Sequence, residues 1–183
     1  MKILLAPNFI SAETCAALNA WVDEGVKNKW LDKGISRGLG WEYDKRVTTR
    51  NYADRFEYPP AVYEVFAQIS AKLGLQNTPK STAGAGKDGV VVSCTFPGGD
   101  VYPHRDPMEG SDLHVLRCNI MTRDSDAGGD LYIGGKKIDI GVGDLHCYLP
   151  SAIEHYVTPV EGATSRIMWM FGYKMSLEDF GKL

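Results

Sequence analysis

A chain of 183 residues is long enough to bury a substantial core and short enough to read as one domain, residues 1–183. Its 44% hydrophobic and 23% charged residues have the texture of a soluble globular protein. A net charge of −3 and a pI near 5.8 give no electrostatic reason to expect a nucleic-acid partner.

The N-terminal Met-Lys-Ile-Leu-Leu-Ala-Pro run is too short for a signal peptide. No stretch approaches the ~20 apolar residues that a membrane span needs, so the expectation is a cytoplasmic protein with no membrane partner. Cys15, Cys94, Cys118 and Cys147 lie far apart with no C-x-x-C pair, which reads as buried reduced thiols and not as a zinc or dithiol motif.

In chain order, residues 3–6 form a short apolar run ended by Pro7, an expected edge strand. Ser11 is an N-cap candidate for a helix over 12–27, with Glu13 at the positive end of its dipole and Leu18, Val22 and Val26 as its buried stripe. Periodicity then fails from Asn28 to Tyr58, where Val47–Tyr52 is the best strand candidate. Pro59-Pro60 open a second helix over 60–73, with Val62, Phe66, Ile69 and Leu73 on one face and Gly74 as its stop. Residues 76–89 are small, polar and breaker-rich, an expected exposed loop.

Beyond that loop the texture changes. Strands are expected at 90–96, from Val101 through His104 and Asp106, at 113–122, 130–133, 136–140, 145–149, 155–159 and 166–173, with Gly134-Gly135 as a hairpin turn. About eight short strands preceded by two helices argue for a mainly β fold with flanking helices. The expected architecture is a double-sheet jelly roll over 90–175, with the helical part, 1–75, packed on one sheet.

Within the β part, His104-x-Asp106 is followed by His155 and then Arg166. Alternate residues of a strand point to one face, so His104 and Asp106 are expected to project together. Two imidazoles and one carboxylate can hold a metal by one face and leave the other open, the donor set of non-haem Fe(II) oxygenases. Arg166 would add a fixed cation suited to a bidentate grip on the distal carboxylate of a 2-oxo acid.

Phe96-Pro97-Gly98-Gly99-Asp100-Val101-Tyr102-Pro103-His104-Arg105-Asp106 resembles the Tyr-Pro-Gly-Gly…His-x-Asp element of Fe(II)/2-oxoglutarate-dependent dioxygenases of the prolyl-hydroxylase-like branch. Gly128-Gly129-Asp130-Leu131 and Gly143-Asp144-Leu145 resemble its Gly-Gly-x-Leu strand and the turn before its distal strand. The run from His155 to Gly162, followed by Ser165-Arg166, is similar to its ending, and Leu116-Arg117-Cys118-Asn119 resembles an element of aspartyl/asparaginyl β-hydroxylases. The resemblance implies a double-stranded β-helix, Fe(II) held by His104, Asp106 and His155, and 2-oxoglutarate anchored by Arg166. It also implies O2 as a reactant, release of succinate and CO2, and ascorbate as a possible reductant. With Asp106 in the carboxylate position no halide site remains, which argues against the halogenases of that superfamily.

Phe96 stands where the branch has a tyrosine, and Tyr102, two residues before His104, is the expected replacement for its hydroxyl. Arg117 and Asn119 share a strand face. They either contact the proximal carboxylate or form a polar pair on a half-exposed strand. Upstream, Trp41, Arg46 and Arg50 either bind the prime substrate at the barrel mouth or serve as core and rim of the helical layer. A cationic, aromatic rim suits a small carboxylate-bearing molecule or a peptide. His114 is expected to be solvated, and His146 to face inward only if its strand alternates that way. Rival readings are a cupin-type metalloenzyme independent of 2-oxoglutarate and a non-catalytic module that binds metal or a 2-oxo acid.

Overall fold

Ser11 is held by its own helix: its Oγ accepts a hydrogen bond from the Thr14 N–H at 3.1 Å, fixing the start of α1 (Ala12–Lys27). Pro60 opens α2 (Pro60–Lys72), where its missing N–H costs nothing. The helices turn Leu18 and Val22, and Val62, Val65, Phe66 and Ile69, onto one shared core. The computed structural model describes residues 2–29, 31–36, 41–49, 57–81 and 89–183, with 32–36 and 41–44 described by backbone alone.

The strands are β1 (Leu4–Ala6), β2 (Asp32–Ser36), β3 (Trp41–Thr48), β4 (Val90–Thr95), β5 (Val101–His104), β6 (His114–Arg123), β7 (Ala127–Gly128), β8 (Leu131–Ile133), β9 (Lys136–Lys137), β10 (Leu145–Tyr148), β11 (His155–Val157), β12 (Val160–Glu161) and β13 (Arg166–Met175). A short helix, α3 (Leu177–Lys182), follows them. The pairings are antiparallel and make a seven-stranded sheet, β1-β10-β6-β13-β4-β3-β2, a four-stranded sheet, β5-β11-β8-β9, and a small β12-β7 pair.

Period-2 alternation divides the large sheet into two chemistries. Val90, Val92 and Cys94, then Leu116, Cys118 and Ile120, then Leu145 and Cys147, then Ile167, Trp169, Phe171 and Tyr173 join the helix-side core. Phe66 stacks on Tyr173 with centroids 4.9 Å apart, and the Asn19 side-chain amide donates to the Thr122 carbonyl at 2.8 Å, tying both helices to this face. The intervening residues Ser93, Thr95, Arg117, Asn119, His146, Tyr148, Arg166, Met168 and Met170 line a pocket on the opposite face. The pocket's far wall brings Val101, His104, Leu131, His155 and Val157 from the smaller sheet. There Leu131, Ile133, Tyr148 and Val157 close a second, smaller apolar cluster.

Two strand expectations need correction. The strand expected over Val47–Tyr52 spans Trp41–Thr48 instead, because its place is set by pairing with β2 and by the register Arg46↔Thr95, Val47↔Cys94 and Thr48↔Ser93 with β4. Residues 50–52 of the expected strand lie outside the described residues. Asp106 is not on the strand with His104. β5 ends at His104, and the Asp106 N–H donates to the Pro150 carbonyl at 3.1 Å. The expected Gly134-Gly135 turn is present, with φ of 59° and 76°, a geometry that a side chain would strain.

Candidate metal and 2-oxo acid site

His104 closes β5 and lies directly across from His155 on β11, their ring centroids 4.3 Å apart. Asp106 comes round from the following turn, its Oδ1 3.4 Å from His104 Nε2. One ligand atom from each of the three residues falls within 4.8 Å of the others. The tautomers suit a metal. His104 Nδ1 lies 2.8 Å from the Tyr102 carbonyl and His155 Nδ1 lies 3.4 Å from the Ile153 carbonyl. A carbonyl only accepts, so each ring donates from Nδ1 and keeps the Nε2 lone pair for the cluster. Burial, reinforced by the neighbouring His104, lowers the His155 pKa to about 4, so this imidazole is neutral at ordinary pH.

Asp106 Oδ2 is also 3.8 Å from Arg117 Nε, which fixes the carboxylate from the large-sheet side. Arg117 and Asn119 both point inward from β6, as the shared-face expectation requires. Deeper in the same pocket lies Arg166, the first residue of β13, only 5% exposed. Its Nε and Nη2 have no hydrogen-bond partner among the described residues. Burial lowers its pKa to about 10, against an opposing pull from Asp124, Tyr148 and Asp130, and the guanidinium keeps its charge. Gly129, at φ 66°, makes room for it: a Cβ there would stand 3.1 Å from Arg166 Cδ and 2.5 Å from Ser125 Oγ. The pocket's empty volume, counted out into the open solvent at its mouth, is about 670 Å³.

The other expected site residues divide. Arg46 lines the pocket, level with Arg166 across their shared pairing partner Thr95, and donates from Nε to Ser93 Oγ at 2.6 Å. Trp41 is described by backbone alone, at the start of β3, and Arg50 lies outside the described residues. Tyr102 lies on the His104 side, as the alternation requires, with its ring tilted against the His104 ring and the centroids 5.2 Å apart, although it is not among the described residues that line the pocket. β5 also carries an irregularity: His155 pairs with His104, but two residues on, Val157 pairs with Val101, and this extra residue accompanies Val101 in the pocket lining. The Tyr102 backbone carbonyl also orients His104.

Phe96 packs against the helix-side core, so no hydroxyl is missing from the pocket at its position, and its neighbour Thr95 is the residue that faces in. The buried phenol beside the donors is Tyr148, which sequence reasoning did not single out. It lies opposite Arg117 across the β10–β6 pairing, and its ring packs edge-on to His155 at 5.4 Å. Burial holds its hydroxyl well above the usual phenol range, against the lowering effect of a side-chain hydrogen bond with Asn119, so it stays protonated. The alternation that brings His146 inward carries Tyr148 with it two residues later. His114, expected in solvent, is 6% exposed, with its Nδ1 2.7 Å from Ser151 Oγ. It begins β6 and is covered by the β13 pairing His114↔Met175.

No protein-family model and no curated protein sequence matches this chain. Solved structures do match it. A Pseudomonas putida prolyl-4-hydroxylase is 17% identical with a TM-score of 0.64, over 95% of this chain and 92% of that one. A Trichoplax adhaerens prolyl hydroxylase in complex with a hypoxia-inducible-factor peptide fragment is 14% identical with a TM-score of 0.69, over 98% and 86%. HygX from Streptomyces hygroscopicus, with nickel, 2-oxoglutarate and hygromycin B bound, is 11% identical with a TM-score of 0.62, over 96% and 83%. The fold is therefore the one shared by 2-oxoglutarate-dependent oxygenases. The structures it is similar to include prolyl hydroxylases, whose branch the Phe96–Asp106 segment resembles in sequence.

Proposed function

We propose that this chain is an Fe(II)- and 2-oxoglutarate-dependent oxygenase that hydroxylates an unactivated C–H bond, with release of succinate and CO2. The observation that carries the reading is a buried guanidinium with two unmatched nitrogens in the same pocket as a His-Asp-His donor cluster. The donors fit the metal: two imidazoles with free Nε2 lone pairs and one carboxylate, a set that suits Fe(II) and leaves a face open. His104, Asp106 and His155 would hold the iron, which when bound supplies the redox chemistry with O2.

The chain's own residues do the rest. Arg166 would grip the distal carboxylate of 2-oxoglutarate through a planar pair of N–H donors. Arg117 keeps the Asp106 carboxylate oriented toward the cluster. Val101, Leu131, Val157, Met168 and Met170 dry the walls around it. In this reading the two sheets are the two sides of a double-stranded β-helix, and the chain is one domain. A cupin-type enzyme without a 2-oxo acid would have no use for Arg166, whose unmatched burial costs stability.

The test is to incubate the protein with Fe(II), ascorbate and 2-oxoglutarate and to measure succinate against O2 consumed. Matched formation supports the reading. Absence of succinate across a panel of amino acids, other small carboxylates and prolyl peptides contradicts it.

For the prime substrate, the proposed contact is Arg46 in the pocket wall, with Arg50 and Trp41 in the same upstream segment. Among the solved neighbours, HygX holds hygromycin B and the Trichoplax enzyme a peptide fragment. A guanidinium in the pocket wall favours a substrate carrying a carboxylate. Loss of one charge-assisted hydrogen bond is worth about ten- to a hundred-fold, so Arg46→Ala should raise the KM of the stimulating substrate by that factor. Initial-rate kinetics check this, and an unchanged KM would assign Arg46 to the fold.

A further inference from the structure

The pocket that holds Arg166 is also lined by an imidazole that the metal cluster does not use. His146 lies on β10, 1% exposed, and faces Asn119 across the β10–β6 register. The two side chains are joined by a 3.3 Å hydrogen bond from Asn119 Nδ2 to His146 Nε2. A nitrogen that accepts carries no proton, so the imidazole proton sits on Nδ1. Nδ1 is buried and has no partner among the described residues, and the same holds for Arg166 Nε and Nη2. An unmatched buried donor costs about 1–3 kcal/mol, so three of them on two side chains of one pocket are a standing cost that a ligand can relieve.

The chemistry of the set selects the ligand. All three atoms donate, and a carboxylate, which only accepts, has about four lone-pair sites to offer them. His146 is also neutral: burial first, and Arg166 second, lower its pKa to about 3. It donates without adding a second positive charge next to the guanidinium.

We propose that His146 is a specificity-determining residue of the co-substrate site, donating Nδ1–H to the distal carboxylate that Arg166 grips. It thereby sets a preference for a dicarboxylic over a monocarboxylic 2-oxo acid. This rests on the pocket being a 2-oxoglutarate site.

The test is anaerobic calorimetry of Fe(II)-loaded protein with 2-oxoglutarate and with 2-oxopentanoate, which has a methyl group in place of the distal carboxylate. His146→Leu should weaken 2-oxoglutarate binding about ten- to a hundred-fold, the worth of one hydrogen bond to a charged group. Binding of 2-oxopentanoate should not change. His146→Asn, whose amide N–H falls near the position of Nδ1, should recover most of the loss. The inference is overturned if His146→Leu binds 2-oxoglutarate as the parent does. It is overturned too if the variant loses both ligands equally, if Fe(II) affinity falls alongside, or if Asn recovers nothing, since each of these marks a structural role. A parent that binds Fe(II) but no 2-oxoglutarate would overturn the wider reading as well, and that result is seen before any variant is made.

Discussion

Replacing His155 with alanine is expected to lower Fe(II) affinity by far more than a hundred-fold. Removing even an outer hydrogen-bond partner of a metal ligand costs ~10–100-fold, and His155 would itself be one of only three protein donors. It is 9% exposed, locked by its pairing with His104 and turned by the Ile153 carbonyl, so no neighbouring side chain on β11 can take its place. Equilibrium dialysis under anaerobic conditions measures the change, and a variant that keeps the parent's affinity would break the triad assignment. A pH effect accompanies it. The His155 pKa is depressed from 6.5 to about 4, so its stabilising contribution is present above the unfolded value and is lost as pH falls through the folded one. Acidifying the metal-free protein across that window should therefore lower its stability, and His155→Ala should lose less.

Arg166→Leu is expected to abolish succinate formation from 2-oxoglutarate while making the ligand-free protein more stable. The two effects share one cause. The guanidinium is buried with Nε and Nη2 unmatched, so the ligand-free fold carries a desolvated charge. Replacing such buried charge with an apolar side chain of similar volume commonly stabilises by ~1–4 kcal/mol. With Fe(II) present, 2-oxoglutarate at a thousand times its Kd should reverse the order, since it stabilises the parent by about 4.1 kcal/mol and would give the variant nothing. Arg166→Lys keeps the charge without the planar fork and should raise the KM for 2-oxoglutarate. Thermal unfolding with and without 2-oxoglutarate reads both halves. An Arg166→Leu protein stabilised by 2-oxoglutarate as much as the parent would remove this residue from the co-substrate site.

The difference between what the sequence revealed and what it hid has physical reasons. α1 matches the expected 12–27 because its cap, dipole charge and apolar stripe are all local signals. Most β strands were legible because β-branched runs bounded by glycine mark them, and strict alternation then placed Arg117 and Asn119 on one face. The misses are the non-local ones. β3 is positioned by its partners β2 and β4, and its apolar pattern is weak. The extra residue in β5, which accompanies Val101 in the pocket lining, is a property of pairing with β11 that one strand read alone cannot show. Tyr148 was legible in principle, two residues from an inward-facing His146, but only after the neighbour's orientation was fixed. α3 carries the ordinary signal of a Ser176 N-cap accepting from the Asp179 N–H at 3.1 Å, and it was passed over because six residues make a weak periodicity.

The most direct measurement of the central claim is anaerobic titration of 2-oxoglutarate into three samples: metal-free protein, Fe(II)-loaded protein, and Fe(II)-loaded Arg166→Leu. If the metal cluster and the buried guanidinium form one site, binding at one equivalent appears in the second sample and is weak or absent in the first and third. Fe(II)-loaded parent that gives no 2-oxoglutarate binding, or an Arg166→Leu variant that binds it as tightly as the parent, would contradict the account.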